Sequence, residues 1–250
     1  MRRRSKRSAY AGHTGAASND NKEDEMTATS DRTFTRSMPM LISRQRQLLQ
    51  LLDALGGTSG KLDFQKLLFL YCQEMPMGKA PYDFVPYKLG AFSFTSYADR
   101  RKLIERGLLE DRDDWHITDD GRMAIGHTMD NQFAAFANHH RGMHGDALVA
   151  YTYRRFPFFA IRSEIAERVL GDDDAALARI KAVRTEVTGP VLSTIGYEGH
   201  TLESYLTTLI KSGVTILCDV RRNSISRKYG FSKNTLARVR GRGHSVRALA

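Results

Sequence analysis

The chain has 250 residues, of which 41% are hydrophobic and 26% charged, with 20 Gly, 6 Pro and 2 Cys. This composition is ordinary for a globular protein and excludes collagen-like, mucin-like and wholly disordered classes. The longest apolar runs, such as residues 48–52 and 67–72, fall far short of the roughly 20 residues that a membrane-spanning helix needs, so we expect no membrane partner. Two cysteines cannot build a disulfide framework, which predicts a reducing, cytoplasmic compartment.

The net charge of +10 is concentrated at the two ends of the chain. Five basic and no acidic side chains occupy residues 1–10, and nine basic and no acidic side chains occupy residues 221–250. The intervening residues 11–220 carry 24 basic and 28 acidic groups, so the middle of the chain is mildly acidic. Residues 1–36 contain almost no large aliphatic side chain and lack the apolar segment of a secretory signal. We therefore expect a disordered basic and polar tail there.

Hydrophobic spacing predicts three helices early in the chain, over residues 45–55, 61–74 and 96–106. Gly56 and Gly57 end the first of these helices, and Gly107 ends the third. Residues 108–110 and 115–118 are then predicted to form a short hairpin, followed by another helix that begins at residues 119–122. Helices followed by a small hairpin are typical of a winged helix. We accordingly predict a mainly helical, winged-helix-like domain over residues 37–188.

The clearest predicted boundary in the chain is the dipeptide Gly189–Pro190. Beyond it the sequence predicts an apolar strand over residues 191–197, an amphipathic helix over residues 201–211 and a second apolar strand over residues 214–220. A strand, a helix and a strand within 30 residues are typical of a βαβ unit with parallel pairing. The predicted fold class is α+β, with a partial α/β module over residues 189–250.

The end of this module looks incomplete as a fold. A helix is predicted with Ser232 as its N-cap and with Leu236 and Val239 on its apolar face, but the pattern stops there. A parallel sheet of two strands buries little surface and leaves an open edge. We expect a truncated domain whose final eleven residues do not belong to its fold, as a frameshift in a GC-rich gene would produce. The alternative is a short disordered tail on a domain that the helical half completes.

Three short runs in the C-terminal module carry a resemblance. They are residues 194–199 (TIGYEG), 218–222 (CDVRR) and 224–233 (SISRKYGFSK). Together, within residues 191–236, they resemble the bacterial "domain of unknown function 488" family. Ser224 departs from the pattern, because many members have proline at that position. The family brings no settled activity, so the resemblance implies an architecture and not a mechanism.

A second, looser resemblance lies in the front of the chain. Residues 61–70 (KLDFQKLLFL), 84–93 (FVPYKLGAFS) and 103–109 (LIERGLL) are similar to the Panacea or SocA-like antitoxin-associated domain, within residues 45–125. This resemblance implies a toxin–antitoxin or defence-associated adaptor that contacts a protein partner.

Candidate binding residues gather at the end of the second predicted strand, where open α/β sheets place their ligand crevice. Four cations within eight residues follow Asp219 with no further acid, and arginine binds phosphate through paired N–H groups. The alternative is an ion pair between Asp219 and a neighbouring arginine in a solvated loop. The predicted phosphate or nucleic-acid binding residues are Gly196, Tyr197, Arg221, Arg222, Ser226, Arg227, Lys228 and Lys233.

Gly196 and Tyr197 of this set lie just before the predicted helix that begins at residue 201. Gly196 and Gly199 flank Tyr197, so backbone N–H groups at the start of this helix could meet an anion. A tight turn that requires glycine explains the same spacing. Tyr197 could stack on a base or cover the core.

The histidine cluster and Cys218 are predicted to have structural roles and not functional ones. His139, His140 and His144 lack a third ligand nearby and are predicted to be solvent-exposed, so we expect no metal and no cofactor. Cys218 is predicted to be a buried strand thiol.

A basic edge on the third helix could face DNA phosphates. Its members are Arg100, Arg101, Lys102 and Arg106. The acidic patch over residues 110–114 would repel a phosphate backbone, so protein–protein contact is the alternative.

Three functions remain open at this point. The first is a nucleic-acid-associated or regulatory protein whose basic loop binds a phosphate-bearing partner: DNA, RNA or a nucleotide. The second is an enzyme that acts on a nucleotide or nucleoside, with Asp219 as acid or base and with Tyr197 and Arg221 placing the substrate. The third is the defence-associated adaptor.

Overall fold

The computed structural model describes residues 40–75, 78–126, 131–186, 189–222, 226 and 228–236, together with the backbone of residues 247–249. The predicted N-terminal tail, the candidate residue Arg227 and most of the final eleven residues lie outside the described residues. Residues Met38–Ala250 form one compact unit. We call residues 40–186 the front half and the described part of residues 189–249 the C-terminal module.

The predicted helices of the front half are confirmed. Helix α1 is Ser43–Ala54, α2 is Lys61–Glu74 and α3 is Phe94–Glu105. The leucines of α1 that follow the helical spacing are fully buried against α2. Helix α3 begins two residues before the predicted start because Ser93 caps it, accepting the Ser96 N–H at 3.3 Å. Burial of one apolar stripe per helix therefore builds the main core.

Two small antiparallel sheets belong to the front half. Strand β1 (Thr58–Ser59) pairs with β4 (Trp115–His116), and β2 (Val85–Tyr87) forms a hairpin with β3 (Gly90–Phe92). The predicted hairpin of residues 108–110 with 115–118 is present in a short form: Leu109 and Ile117 form an antiparallel bridge, with backbone hydrogen bonds from Glu110 to His116 at 3.0 Å and from Thr118 to Leu108 at 3.2 Å. Its second strand also pairs with β1, a strand too short for the sequence pattern to reveal.

The remaining elements of the front half are short helices. They are α4 (Asp119–Ile125), α5 (Asn131–His139), α6 (Gly145–Arg155), a 3-10 turn (Pro157–Ala160), α7 (Ala166–Leu170) and α8 (Asp174–Ala182). Helices α6 to α8 enclose a second apolar cluster that contains Val149, Tyr153 and Ile180. Pro157 begins the 3-10 turn directly after α6, because proline cannot continue the helical hydrogen bonds.

The predicted amphipathic helix of the C-terminal module is present as α9 (Leu202–Lys211). A capping box holds its first turn: Thr201 and Ser204 exchange side-chain and backbone hydrogen bonds at 2.9 and 3.1 Å. The apolar face of α9 packs on Phe231 and on Val85 of the front half. The helix thus joins the module to the front half through a shared apolar cluster.

The predicted strands of the module differ from the structure. Strand β5 is shorter than expected, Ile216–Cys218, and pairs in parallel with β6 (Arg247–Leu249). The strand predicted over residues 191–197 is wrong: this segment has no ladder partner among the described residues, and Val191 and Leu192 are 79% and 97% exposed. An apolar run becomes a strand only where a neighbouring strand takes its hydrogen bonds, and β5 pairs with β6 instead.

The observed architecture is therefore α+β in the coarse sense, with helices predominating and small sheets between them. None of the helices in the described ranges combines the length and apolar character that crossing a bilayer requires.

Candidate functional site

Asp219 and Arg221 form the centre of the candidate site and bind each other. The Arg221 Nε donates to Asp219 Oδ1 at 2.7 Å, and its Nη2 donates to Oδ2 at 2.6 Å. The remaining guanidinium nitrogen, Nη1, donates to the Phe231 carbonyl at 2.9 Å. This two-point contact holds the pKa of the Asp219 carboxyl below its ordinary value and raises the pKa of Arg221. The carboxylate stays ionised, and both of its oxygens accept hydrogen bonds.

Two stacked aromatic rings pack against the Arg221 side of this ion pair. Tyr197 stacks on Phe231 with ring centres 5.1 Å apart, and the Arg221 guanidinium lies 5.2 Å from the Tyr197 ring centre. Lys228 Nζ donates to the Tyr197 carbonyl at 3.0 Å and lies 5.4 Å from the Phe231 ring centre. Tyr197 therefore covers the small core of the module. Phe231 was not among the predicted site residues, although it stands within the run that carries the family resemblance.

The other candidate residues lie around this centre. Arg222, Lys228 and Lys233 are exposed, and the charge of Lys233 also lowers the pKa of Asp219. Ser226 accepts the Lys228 backbone N–H at 3.2 Å, which shapes the loop. Gly196 is exposed on the approach to the site. We name Arg222, Lys228 and Lys233 the cationic edge.

The start of α9 is occupied by groups of the chain itself. Thr201 Oγ1 donates to Asp83 Oδ2 at 2.7 Å while accepting the Ser204 N–H, and Gly199 turns the chain with φ +77°. The described geometry at Gly199 thus matches the tight-turn explanation of the glycine spacing.

The basic edge predicted on α3 is partly wrong. Arg100 points inward: it lies over the Trp115 ring and donates to the carbonyls of Arg112 and Asp114 at 2.6 and 2.9 Å. Arg106 donates to the Met40 carbonyl at 3.1 Å. Helical spacing predicted that Arg100 and Arg106 lie on the exposed face of α3 with Arg101 and Lys102. Arg100 turns inward because backbone carbonyls in the turn at residues 111–114 need hydrogen-bond donors. Only Arg101 and Lys102 of the four are exposed.

A buried carboxylate that the sequence did not reveal connects α9 to α3. Glu203 is 0% exposed and accepts the Thr95 N–H at 2.7 Å, the Thr95 hydroxyl at 3.0 Å and the Ser93 hydroxyl at 3.3 Å. These donors lie at the first turn of α3, whose positive end attracts a carboxylate. Burial raises the pKa of Glu203 above its ordinary value, while the donated hydrogen bonds oppose that rise.

Two further expectations are corrected. His140 is buried, not exposed: its Nε2 lies 2.8 Å from Glu74 Oε2 on α2, because α5 turns it into the core beside Phe136. Cys218 is exposed because β5 lies at the surface. Within the described ranges, no group of three or more His, Cys, Asp or Glu side chains could hold a metal ion.

Two cavities, of about 280 and 590 Å³, open in the front half. Neither is lined by any residue of the predicted site. Comparisons of the chain with protein-family models, with curated proteins and with solved structures found no match. Both family resemblances consequently stay predictions.

Proposed function

We propose that this chain is a nucleic-acid-associated binding protein that takes a phosphate-bearing polymer on the cationic edge of its C-terminal module. The observation that carries the proposal is the exposure of Arg222, Lys228 and Lys233 near Asp219, an acid whose charge Arg221 already matches. Exposed cations without acidic partners repel one another, and a polyanion relieves that repulsion.

The Asp219–Arg221 pair supports binding better than it supports catalysis. A general acid or base needs a pKa near the working pH and a free oxygen within reach of substrate. Asp219 has a lowered pKa, and Arg221 contacts both of its oxygens. In this proposal the pair fixes the loop, and the three cations of the edge contact phosphate.

For the front half we propose a winged-helix-like arrangement. Its support is the strand pattern, in which Trp115–Ile117 lies between β1 on one side and Leu109 on the other, directly after α3. The similarity of residues 45–125 to the Panacea or SocA-like domain agrees with this proposal. We propose likewise that the module is a partial α/β unit, supported by the parallel pairing of β5.

A protein partner is the second candidate function, and it concerns the front half. Winged helices read DNA with the first turns of a recognition helix. In this chain Glu203 covers the first turn of α3, and Arg100 is buried. These contacts favour an adaptor role for the front half over direct reading of DNA.

The test is salt-dependent binding of labelled 20-nucleotide DNA and RNA, followed by fluorescence anisotropy at several salt concentrations. Each phosphate contact contributes about 0.7–0.9 to the slope of log affinity against log salt. We expect the double variant Arg222→Gln/Lys233→Gln to lower this slope by about 1.4–1.8. The matched control, Lys181→Gln/Arg184→Gln, removes two exposed cations of the α8 region and leaves the slope unchanged. An unchanged slope in the first variant contradicts the proposal.

A further inference from the structure

Tyr229 connects the cationic edge to α3. Its hydroxyl donates to the Phe94 carbonyl, the first residue of α3, at 3.1 Å. The Arg101 guanidinium, about two turns further along α3, interacts with the same hydroxyl. Tyr229 as a whole residue is 46% exposed. This aromatic residue is thus held at its hydroxyl end and remains partly open to solvent.

We treat Tyr229, its chain neighbour Lys228 and its α3 contact Arg101 as one candidate surface. Lys228, its neighbour in the chain, reaches the Tyr197 carbonyl, and Arg221 lies over the Tyr197 ring. Arg101 contributes a cation from α3. Two acids, Glu203 and Asp99, also act on the Tyr229 hydroxyl and raise its pKa, but both are buried and accept hydrogen bonds from the fold. Among the described residues, the exposed cations closest to Tyr229 are Arg101 on α3 and Lys228, its neighbour in the chain.

The backbone next to Tyr229 fixes its position. Gly230 has φ +88°, and a Cβ at that residue would lie 2.8 Å from the Leu202 side chain of α9. Phe231 follows, fully buried in the module core. Because Phe231 is buried in the module core and the Tyr229 hydroxyl donates to the Phe94 carbonyl, the backbone beside the ring and the tip of the ring are both held, which reduces the ordering entropy lost on binding.

We infer that this surface binds a single nucleic-acid strand, with one base stacked on Tyr229 and the flanking phosphates on Arg101 and Lys228. The inference rests on the proposed function and deepens it. Aromatic rings between cations suit single strands, because an unpaired base has a free face and a base in a duplex does not. The first turn of α3 is covered by Glu203, so this helix end is not free to enter a duplex groove.

The experiment compares two substitutions of Tyr229 with the wild type, measured by anisotropy with a labelled 20-nucleotide oligo(dT). Tyr229→Phe keeps the ring and removes the hydroxyl contacts with Phe94 and Arg101, so we expect affinity within about twofold of wild type. Tyr229→Leu keeps an apolar side chain and removes the stacking face. Base stacking on an aromatic residue is worth about 1–3 kcal/mol, so we expect affinity to fall about 5- to 150-fold.

Arg101→Gln gives an independent measurement. It should lower the salt slope for oligo(dT) by about 0.7, one phosphate contact on a single strand. Lys181→Gln, an exposed cation on α8, is its control and should leave the slope unchanged. Thermal unfolding of each variant checks that the fold is retained.

The outcomes separate this inference from the proposed function. Equal affinity of the Phe and Leu variants, or tighter binding of a 20-base-pair duplex than of oligo(dT), overturns the single-strand inference. If Arg222→Gln/Lys233→Gln still lowers the salt slope in that case, the proposed function stands without it. If neither set of substitutions changes binding, both are overturned.

Discussion

Cations are placed differently in the two regions of this molecule. In the front half some of them enter the core: Lys66 and Arg100 are buried and donate to backbone carbonyls at 2.6–3.0 Å. In the C-terminal module the cations Arg222, Lys228 and Lys233 are exposed at the surface. A count of charges along the sequence does not distinguish these cases. The difference teaches that a basic segment indicates a binding surface only where its cations stay exposed and are not buried against carbonyls or carboxylates of the fold.

The largest expected effect contrasts leucines in the two regions. Leu51 is fully buried in the front core, whereas Leu192 of the module is 97% exposed. We expect Leu51→Ala to lower the free energy of unfolding by about 3–4 kcal/mol, through lost burial and a residual cavity. Leu192→Ala should change it by less than about 0.5 kcal/mol. Urea unfolding of both variants measures the contrast, and similar losses would show that the segment around Leu192 is buried in solution.

The next effect is a pH dependence that comes from Lys66 of the front half. Lys66 is 1% exposed, donates to the Ala91 carbonyl at 3.0 Å, and burial lowers its pKa to about 7. In the unfolded chain the Lys66 amine keeps its proton up to its ordinary pKa near 10.5. The shift therefore lowers the free energy of unfolding by its full amount below about pH 7, and by progressively less as the pH rises.

Lys66→Met removes that penalty and leaves the Ala91 carbonyl without its donor. We expect the variant to be about 3 kcal/mol more stable than wild type near pH 7, because a difference of one in pKa is worth about 1.4 kcal/mol and an unpaired carbonyl costs about 1–2 kcal/mol. The difference in the free energy of unfolding between the two proteins should vanish by about pH 9.5. Denaturant unfolding of both proteins across this pH range is the measurement, and a constant gap would mean that Lys66 is charged in the fold.

An intermediate effect tests the connection between the two regions. Glu203→Ala leaves the Thr95 N–H and two hydroxyls without an acceptor, which we expect to cost about 2 kcal/mol. Hydrogen exchange should rise at the first turn of α3 and along α9 together. The control is Glu198→Ala, an exposed acid of the same module. Loss of protection in α9 alone would indicate that Glu203 serves its own helix and not α3.

The smallest effect on stability belongs to the Asp219–Arg221 pair. Partly exposed ion pairs contribute little, so Asp219→Asn should lower the free energy of unfolding by less than about 1 kcal/mol. The same substitution releases Arg221 and adds one positive charge to the surface. We therefore expect the salt slope for nucleic acid to rise by about 0.7–0.9, measured beside wild type by anisotropy. A lower salt slope in the variant would indicate that Asp219 contacts the ligand directly.

Local patterns in the sequence predicted much of the fold. The apolar spacing of α1, α2 and α9 located these helices to within about two residues, because one buried face imposes a period of 3.6. The strands were harder. Residues 191–197 have the apolar composition of a strand, but pairing depends on a partner segment that is distant in sequence.

The contacts around Asp219 could be predicted from the sequence only in part. The sequence identified Asp219, Arg221 and Lys228, and also the ion pair as one of two alternatives. Phe231 and Glu203 were missed because their roles depend on contacts with the rings of the module and with the first turn of α3. Arg100 was assigned to the surface because helical spacing alone does not show which carbonyls nearby lack donors.

The contact between α9 and the front half has a practical consequence for dividing the chain. Gly189–Pro190 is an attractive place to cut, yet a fragment that ends there loses the acceptor for the Thr95 N–H and exposes Val85, which is fully buried in the whole protein. A fragment that begins there presents the apolar face of α9, with Leu206 and Leu209, to water. Each piece expressed alone should associate with itself or precipitate, whereas the two pieces produced together in one cell should be recovered as a complex.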